Sequence, residues 1–291
     1  MSEQATAGLD KLREEIDRID GELHGLLRER AAVVKRIGLA KRSAGGDVTA
    51  FVRPGREAEL VRGLLARHEG ALPSAVVVRI WREIVSAACF MQQPVKVALY
   101  APERSISHWD LARNHFGILT PIQLCGSPQR VLQEAGNGGT IGVLPWPEHE
   151  EPQPWWPNLS AEDSETMNIV GLLPFYESAT GRFESRRLMV VATYPPEPSS
   201  DDLSFIIART DPELSRARLG ALLTEAGLTG GVVAAHQTDG YMRQLLQVDG
   251  FVRRDDDRLT RLEEASGGGI MSAISVGAAA RPVGVLDDNK E

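Results

Sequence analysis

Cysteine is almost missing from this chain: among 291 residues there are two, Cys89 and Cys125, in unrelated contexts. They make neither a metal-ligand spacing nor a disulfide framework, so a reducing cytoplasm is the expected compartment. No apolar run reaches 18 residues, which excludes a transmembrane helix from the expectation. The opening MSEQATAG is short and polar, without the apolar core of a secretory signal. Positive charge is scarce overall but unevenly so. Residues 1–93 hold 15 Lys and Arg against 13 Asp and Glu, a balance of +2, and the remaining 198 hold 17 against 27, a balance of −10. A segment at +2 without a basic stripe is a poor nucleic-acid binder, and nothing favours a membrane surface. The clusters GNGG (136–139) and GGG (267–269) lack the Lys-Ser/Thr of a phosphate loop and read as turns. His149, in EHEE, has no second ligand at helical spacing, so no metal site is expected. No nucleophile motif marks a Ser-His-Asp or Cys-His triad.

What is present is a long helical stripe. In residues 9–42 apolar side chains fall at Leu9, Leu12, Ile16, Ile19, Leu23, Leu26, Val33, Ile37 and Ala40. The steps of three and four are those of a helix, and no proline interrupts them. At about 1.5 Å per residue the helix would reach on the order of 50 Å, too long to bury its stripe inside a segment of this size. A partner helix is needed, most simply from a second copy of the chain. Arg30 stands where the stripe calls for Leu or Ile. A buried, unpaired guanidinium is costly, so an anion is expected beside it. Lys41, eleven residues on, lies about 20° from the same face and three turns further along. The two could bracket a small dianion. Solvated charges on a drifting stripe are the plain alternative.

Two shorter helices follow. REAELVRGLLARHEG is introduced by Pro54 and closed by Gly70. AVVVRIWREIVSAACFMQQ follows Ser74 as a candidate N-cap, with Val77, Ile80, Trp81, Ile84, Val85 and Ala88 as its stripe. Pro94 ends this all-helical segment, and the pattern changes. Residues 95–200 read as a small α/β lobe in βαβαβ order with parallel pairing, then a proline-rich loop (147–167) and two more strands. In that loop Trp155-Trp156 reads as a packed anchor. Residues 203–284 read as βαββαβ, the split ferredoxin-like unit. The expected architecture is therefore three domains: 1–93, 95–200 and 203–284.

Residues 9–93 resemble the all-helical (AroQ) class of chorismate mutase. The resemblance rests on Arg13 in LDKLREEIDRID, Arg30 in LLRERAAVV, Lys41 in IGLAKR, Arg56-Glu57 in RPGREAEL and Gln92 after IWREIVSAACFM. It implies a three-helix domain in an intertwined helical homodimer, and the Claisen rearrangement of chorismate to prephenate on the way to phenylalanine and tyrosine. That reaction needs no cofactor. The family pattern implies that Arg30 and a partner's Arg13 bind the two carboxylates. Lys41 would contact a carboxylate and the ether oxygen, and Glu57 would accept from the ring hydroxyl. Gln92 would donate to the ether oxygen, and Arg56 would add positive potential at the rim. Two positions depart from the pattern. Arg53 stands where some members carry an acid, and Ala88 stands where some carry a substrate-contacting serine. Relatives with Glu at the last position work best in acid. Gln92 has no charge to lose, so little acid optimum is expected.

The rest is similar, more weakly, to the prephenate dehydratase and amino-acid-binding (ACT) parts of bifunctional enzymes. SRRLMVVA falls where the dehydratase carries Thr-Arg-Phe, but Arg186 and Leu188 replace the outer two and only Arg187 remains. VVAAHQTDG stands where the ACT pattern has Glu-Ser-Arg-Pro. The expectation is a chorismate mutase with catalytically inactive C-terminal domains. The alternatives are a bifunctional mutase–dehydratase, a non-catalytic scaffold or regulatory protein, and a lyase acting on isochorismate.

Overall fold

The computed structural model describes residues 3–43, 52–102, 106–148, 151, 153–160, 167–178, 187–238 and 240–286. His149 and Arg186 lie outside them. Helix α1 (Glu3–Ser43) contains the whole periodic stretch and spans about 60 Å. Helix α2 (Pro54–Leu65) starts on its proline, whose missing N–H costs nothing in a first turn. Helix α3 (Ser74–Gln92) starts at Ser74, so that serine is its first helical residue and the cap position belongs to Pro73. No membrane-crossing helix, long and apolar enough, occurs among the described residues.

The stripe of α1 has little to pack on within one chain. Leu12, Ile16, Leu23 and Leu26 are each more than half exposed, and burial begins only at Val34. The C-terminal part of α1 lies along α3. Helix α3 is contacted on several sides. The residues it buries are Val77, Val78, Arg82 and Ala88, while Ile80, assigned to its stripe by periodicity, is 44% exposed.

After α3 come β1 (Lys96–Tyr100), α4 (Ile106–Phe116), β2 (Ile122–Cys125), α5 (Pro128–Gly136) and β3 (Thr140–Pro145). A 3-10 turn (Trp156–Ser160) precedes β4 (Asn168–Leu173), β5 (Glu177–Ser178) and β6 (Leu188–Ala192). The chain then runs β7 (Asp202–Thr210), α6 (Arg216–Glu225), β8 (Gly230–Thr238), β9 (Tyr241–Asp249), α7 (Asp257–Ala265), β10 (Ile270–Ala280) and β11 (Val285–Leu286). Nine strands form one mixed sheet in the order β2-β1-β3-β6-β4-β10-β7-β9-β8. Strand β1 is parallel to β2 and β3, whereas β6 enters antiparallel between β3 and β4. Strands from before and after residue 200 meet where Ile169 of β4 pairs with Gly277 of β10. Strand β1 is covered on both faces. Val97 and Leu99 share one core with Leu111 and Ala112 of α4, and Ala98 shares another with Val131 and Ala135 of α5. A strand buried on both sides reads as a continuous apolar run, which residues 97–99 (VAL) are, after the exposed Lys96.

Trp155 and Trp156 are fully buried in the core under the sheet, and the Trp155 Nε1 donates to Pro145 O at 3.1 Å. Trp155→Ala removes that bond and leaves a large cavity. It should cost about 3–5 kcal/mol of unfolding free energy. Denaturant titration reads this, and a loss under 1 kcal/mol would show that the segment only lies on the surface. GNGG and GGG occupy the α5–β3 and α7–β10 connections, with Gly139, Gly267 and Gly268 at positive φ.

Candidate active site

Helices α1, α2 and α3 meet around Cys89. From α1 come Arg30 and Lys41, whose charges both act on the Cys89 thiol, and from α2 comes Glu57. From α3 come Cys89 itself and, one turn on, Gln92. The approach of α1 to the end of α3 is close. Arg42 Nη1 donates to Gln92 O at 2.8 Å, and a Cβ at Gly38 would come within 3.2 Å of Gln92 Cγ. Gln92 Nε2 donates one hydrogen to Ala88 O at 3.1 Å. Its Oε1 is buried without a hydrogen-bond partner among the described residues. An amide with one hydrogen and one oxygen left over is equipped to meet a polar ligand.

Burial and the Arg53 charge both lower the Lys41 pKa. Glu57 is enclosed. Its Oε2 accepts from Arg82 Nη1 at 3.0 Å, and its Oε1 lies 3.7 Å from Cys89 Sγ. Burial pushes the Glu57 carboxyl up, and Arg82 pulls against it. Burial also raises the Cys89 thiol, with Glu57 adding to the shift, so this sulfur is a neutral spacer between the carboxylate and the two cations.

Arg56 is exposed on α2, with its charge reaching Lys41. Ala88 is buried and supplies the carbonyl that holds Gln92. Arg13 is not in this cluster. It is exposed, pairs with Asp10 at 3.1 Å, and lies seventeen residues from Arg30, about 25 Å along the helix. Arg53 turns to the sheet domain, where its Nε meets both carboxylate oxygens of Glu197 at 2.8 and 3.0 Å. Arg62 joins it, donating to Ser199 Oγ, Ser200 Oγ, Asp201 O and Arg281 O. Sequence reasoning missed Arg82, Phe175 and Tyr194. Arg82 could have been flagged as the one charge four residues after Val78 on a face that otherwise buries apolar groups.

The chorismate mutase type II family model matches residues 12–93. Those residues form a chorismate mutase type II domain. The chain is 35% identical over 142 residues to the "Bifunctional chorismate mutase/prephenate dehydratase" of Aquifex aeolicus. It is 33% identical over 143 residues to that of Pseudomonas aeruginosa. Each match covers 47% of this chain and 38% of the relative, so the chain spans under half the length of these curated relatives. Among solved structures it is similar to the prephenate dehydratase from Streptococcus mutans, with 14% identity and a TM-score of 0.43. That match covers 66% of this chain and 99% of the other. Among the described residues no group of three or more His, Cys, Asp or Glu is placed to hold a metal.

Proposed function

We propose that this chain is a chorismate mutase. The observation that carries the reading is Cys89, on which the charges of Arg30 and Lys41 act from α1 while its thiol meets Glu57 Oε1 from α2 and Gln92 stands one turn on along α3. These are the positions to which the family resemblance assigns the chemistry. Chorismate is a flexible dicarboxylate, and its rearrangement breaks one C–O bond and makes one C–C bond within a single molecule. No proton has to move. The site gains rate by holding the compact diaxial conformer and by stabilising charge on the ether oxygen as its bond breaks. Arg30 grips one carboxylate in a two-pronged contact, and Lys41 reaches a carboxylate and the ether oxygen. The second Gln92 hydrogen goes to the ether oxygen, and Glu57 Oε1 accepts from the ring hydroxyl. The other carboxylate takes Arg13 from a second copy, whose own α1 would cover the exposed apolar stripe. In this reading residues 1–93 are the catalytic domain, 95–200 a dehydratase-like lobe without dehydratase activity, and 203–284 an ACT-like βαββαβ domain. The protein works in the cytoplasm.

Arg13→Ala and Arg30→Ala variants test the shared site. Each should be nearly inactive alone. Unfolded together and refolded, they should form hybrid dimers carrying one intact site, restoring about a quarter of the wild-type rate. A mixture no better than its parts, beside an active wild type, would remove the shared dimer from the reading. The pH profile adds a second test. Gln92 does not titrate, and burial raises Glu57. Activity should therefore fall as pH drops through the Glu57 value, with no rise below about pH 5. A steep acid optimum would mean that another group supplies the hydrogen bond to the ether oxygen.

A second reading has one observation in its favour: the curated relatives carry both activities in their names. Release of phenylpyruvate from chorismate would establish it here.

A further inference from the structure

The Glu57–Arg82 pair sits where the helical segment meets the sheet. Arg82 is 4% exposed, on the face of α3 turned towards the sheet. Its guanidinium lies 4.9 Å from the centroid of the Phe175 ring, which follows β4. Its Nε is buried without a hydrogen-bond partner among the described residues. Glu57, Arg82, Cys89, Phe175 and Tyr194 line one cavity of about 60 Å³, and the Tyr194 hydroxyl is likewise buried without a partner. The helical segment is held in place on either side of Glu57. Arg53 is clamped to Glu197, Arg62 makes its four bonds, and Gly55 packs so tightly that a Cβ there would meet Pro198 O at 2.8 Å.

From this arrangement we infer that Arg82 is a positioning residue for the mutase reaction: it gives Glu57 its buried counter-charge and fixes it by one oxygen, and Phe175 of the sheet domain fixes Arg82. The inference rests on the mutase reading given above. With Oε2 tied to Arg82, the oxygen turned to Cys89 is Oε1, which takes the thiol with one lone pair and keeps the other for a ligand on the side where the charges of Arg30 and Lys41 act. A carboxylate that accepts from a substrate hydroxyl must stay charged, yet burial works against that charge, with Arg82 as the largest opposing influence. The other charged and titratable groups around it are of lesser effect. Cys89 of α3 hydrogen-bonds Glu57, and Glu197, already paired with Arg53, pushes the carboxyl up. Tyr194 is held neutral by burial. Lys41 and Arg30 of α1 act on Cys89, and Arg56 of α2 acts on Lys41. Beside Arg82 stand Tyr176, itself next to Arg79, and His115 of α4, whose burial keeps it neutral. The sheet domain is in this account part of the mutase site, although no strand contributes a group to the substrate.

The test uses the full chain with Arg82→Gln, Arg82→Lys and Glu57→Gln. With chorismate as substrate, Arg82→Gln should move the acid limb of kcat upward by about 1–3 pH units, the span an opposite charge imposes on a carboxyl. Its activity should return as pH rises beyond that limb. Arg82→Lys keeps the charge but not the flat guanidinium face on Phe175. Its limb should stay with the wild type, while kcat drops several-fold and KM holds. Carbon-13 NMR of the Glu57 carboxyl, assigned with Glu57→Gln, reads the same displacement without turnover. A folded Arg82→Gln with its limb and its carboxyl midpoint unmoved would overturn the inference. Should Arg82→Gln fail to fold, an Arg82→Lys variant with wild-type kcat would overturn it. A wild type that leaves chorismate untouched would instead sink the mutase reading, and the carboxyl titration would still report whether Arg82 governs Glu57.

Discussion

Arg30→Ala should lower kcat/KM for chorismate by on the order of 10³-fold, the loss seen when one preorganised charge-stabilising donor is removed from a reaction centre. Arg30 is only half-buried and stands on a helix whose neighbouring turns are largely exposed. Its removal should cost the fold under about 1 kcal/mol. The two numbers separate function from stability. A helix built to pack would gain from alanine at this stripe position, whereas a helix built to bind a dianion loses its grip on one carboxylate. Arg30→Lys should recover only part of the loss, because an ammonium cannot make the paired, planar contact. Loss of chorismate absorbance gives the rates and denaturant titration gives the stability. A variant within threefold of wild type would place the carboxylate elsewhere.

Arg82→Leu should be the most destabilising single change in the helical segment. Breaking a buried ion pair by removing one partner costs about 3–5 kcal/mol, because the remaining charge is stranded. Here the stranded group is Glu57, against a cavity wall that is mostly apolar. The cost should depend on pH, with a definite sign. Burial already raises the folded carboxyl above its ordinary 4.5, and loss of Arg82 raises it further. A carboxyl raised on folding favours the native state where it is protonated, and that benefit disappears as pH rises through the folded value. The deficit relative to wild type should therefore be small near pH 5 and grow towards pH 8. Adding Glu57→Leu to Arg82→Leu should recover most of it, since no charge is then left buried. A deficit independent of pH would mean that the lost packing against Phe175, and not the stranded carboxylate, sets the cost.

Much of the local structure could be read from residue order. The three-and-four stepping of α1 marks its helix, Pro54 the start of α2, and Ser127-Pro128 the start of α5, where Ser127 Oγ accepts from Arg130 N at 3.2 Å. What could not be read is which faces meet. Periodicity puts Ile80 on the inner side of α3, yet it is exposed and Arg82 is buried, because α3 touches α1, α2 and α4 at once and no single stripe describes it. The order of strands and helices suggests parallel pairing, and cannot announce that β6 slots antiparallel between β3 and β4. In the candidate site, Arg30 stands out because a guanidinium takes an apolar position of the stripe, with Lys41 near the same face, whereas Glu57 and Gln92 are ordinary helix residues by pattern and are named only by the family resemblance. Arg82 is marked by neither, since its meaning depends on Glu57, 25 residues away, and on Phe175, far downstream. Arg53 looks like a defect until Glu197 is placed opposite it.

The most direct measurement is to incubate the purified full chain with chorismate, follow its absorbance, and identify the product before acid treatment. Chorismate should disappear with prephenate as the product and no accumulation of phenylpyruvate. Phenylpyruvate would contradict the inactive reading of the C-terminal domains. Unchanged chorismate would contradict the mutase itself and leave Arg30 and Lys41 in need of another anion.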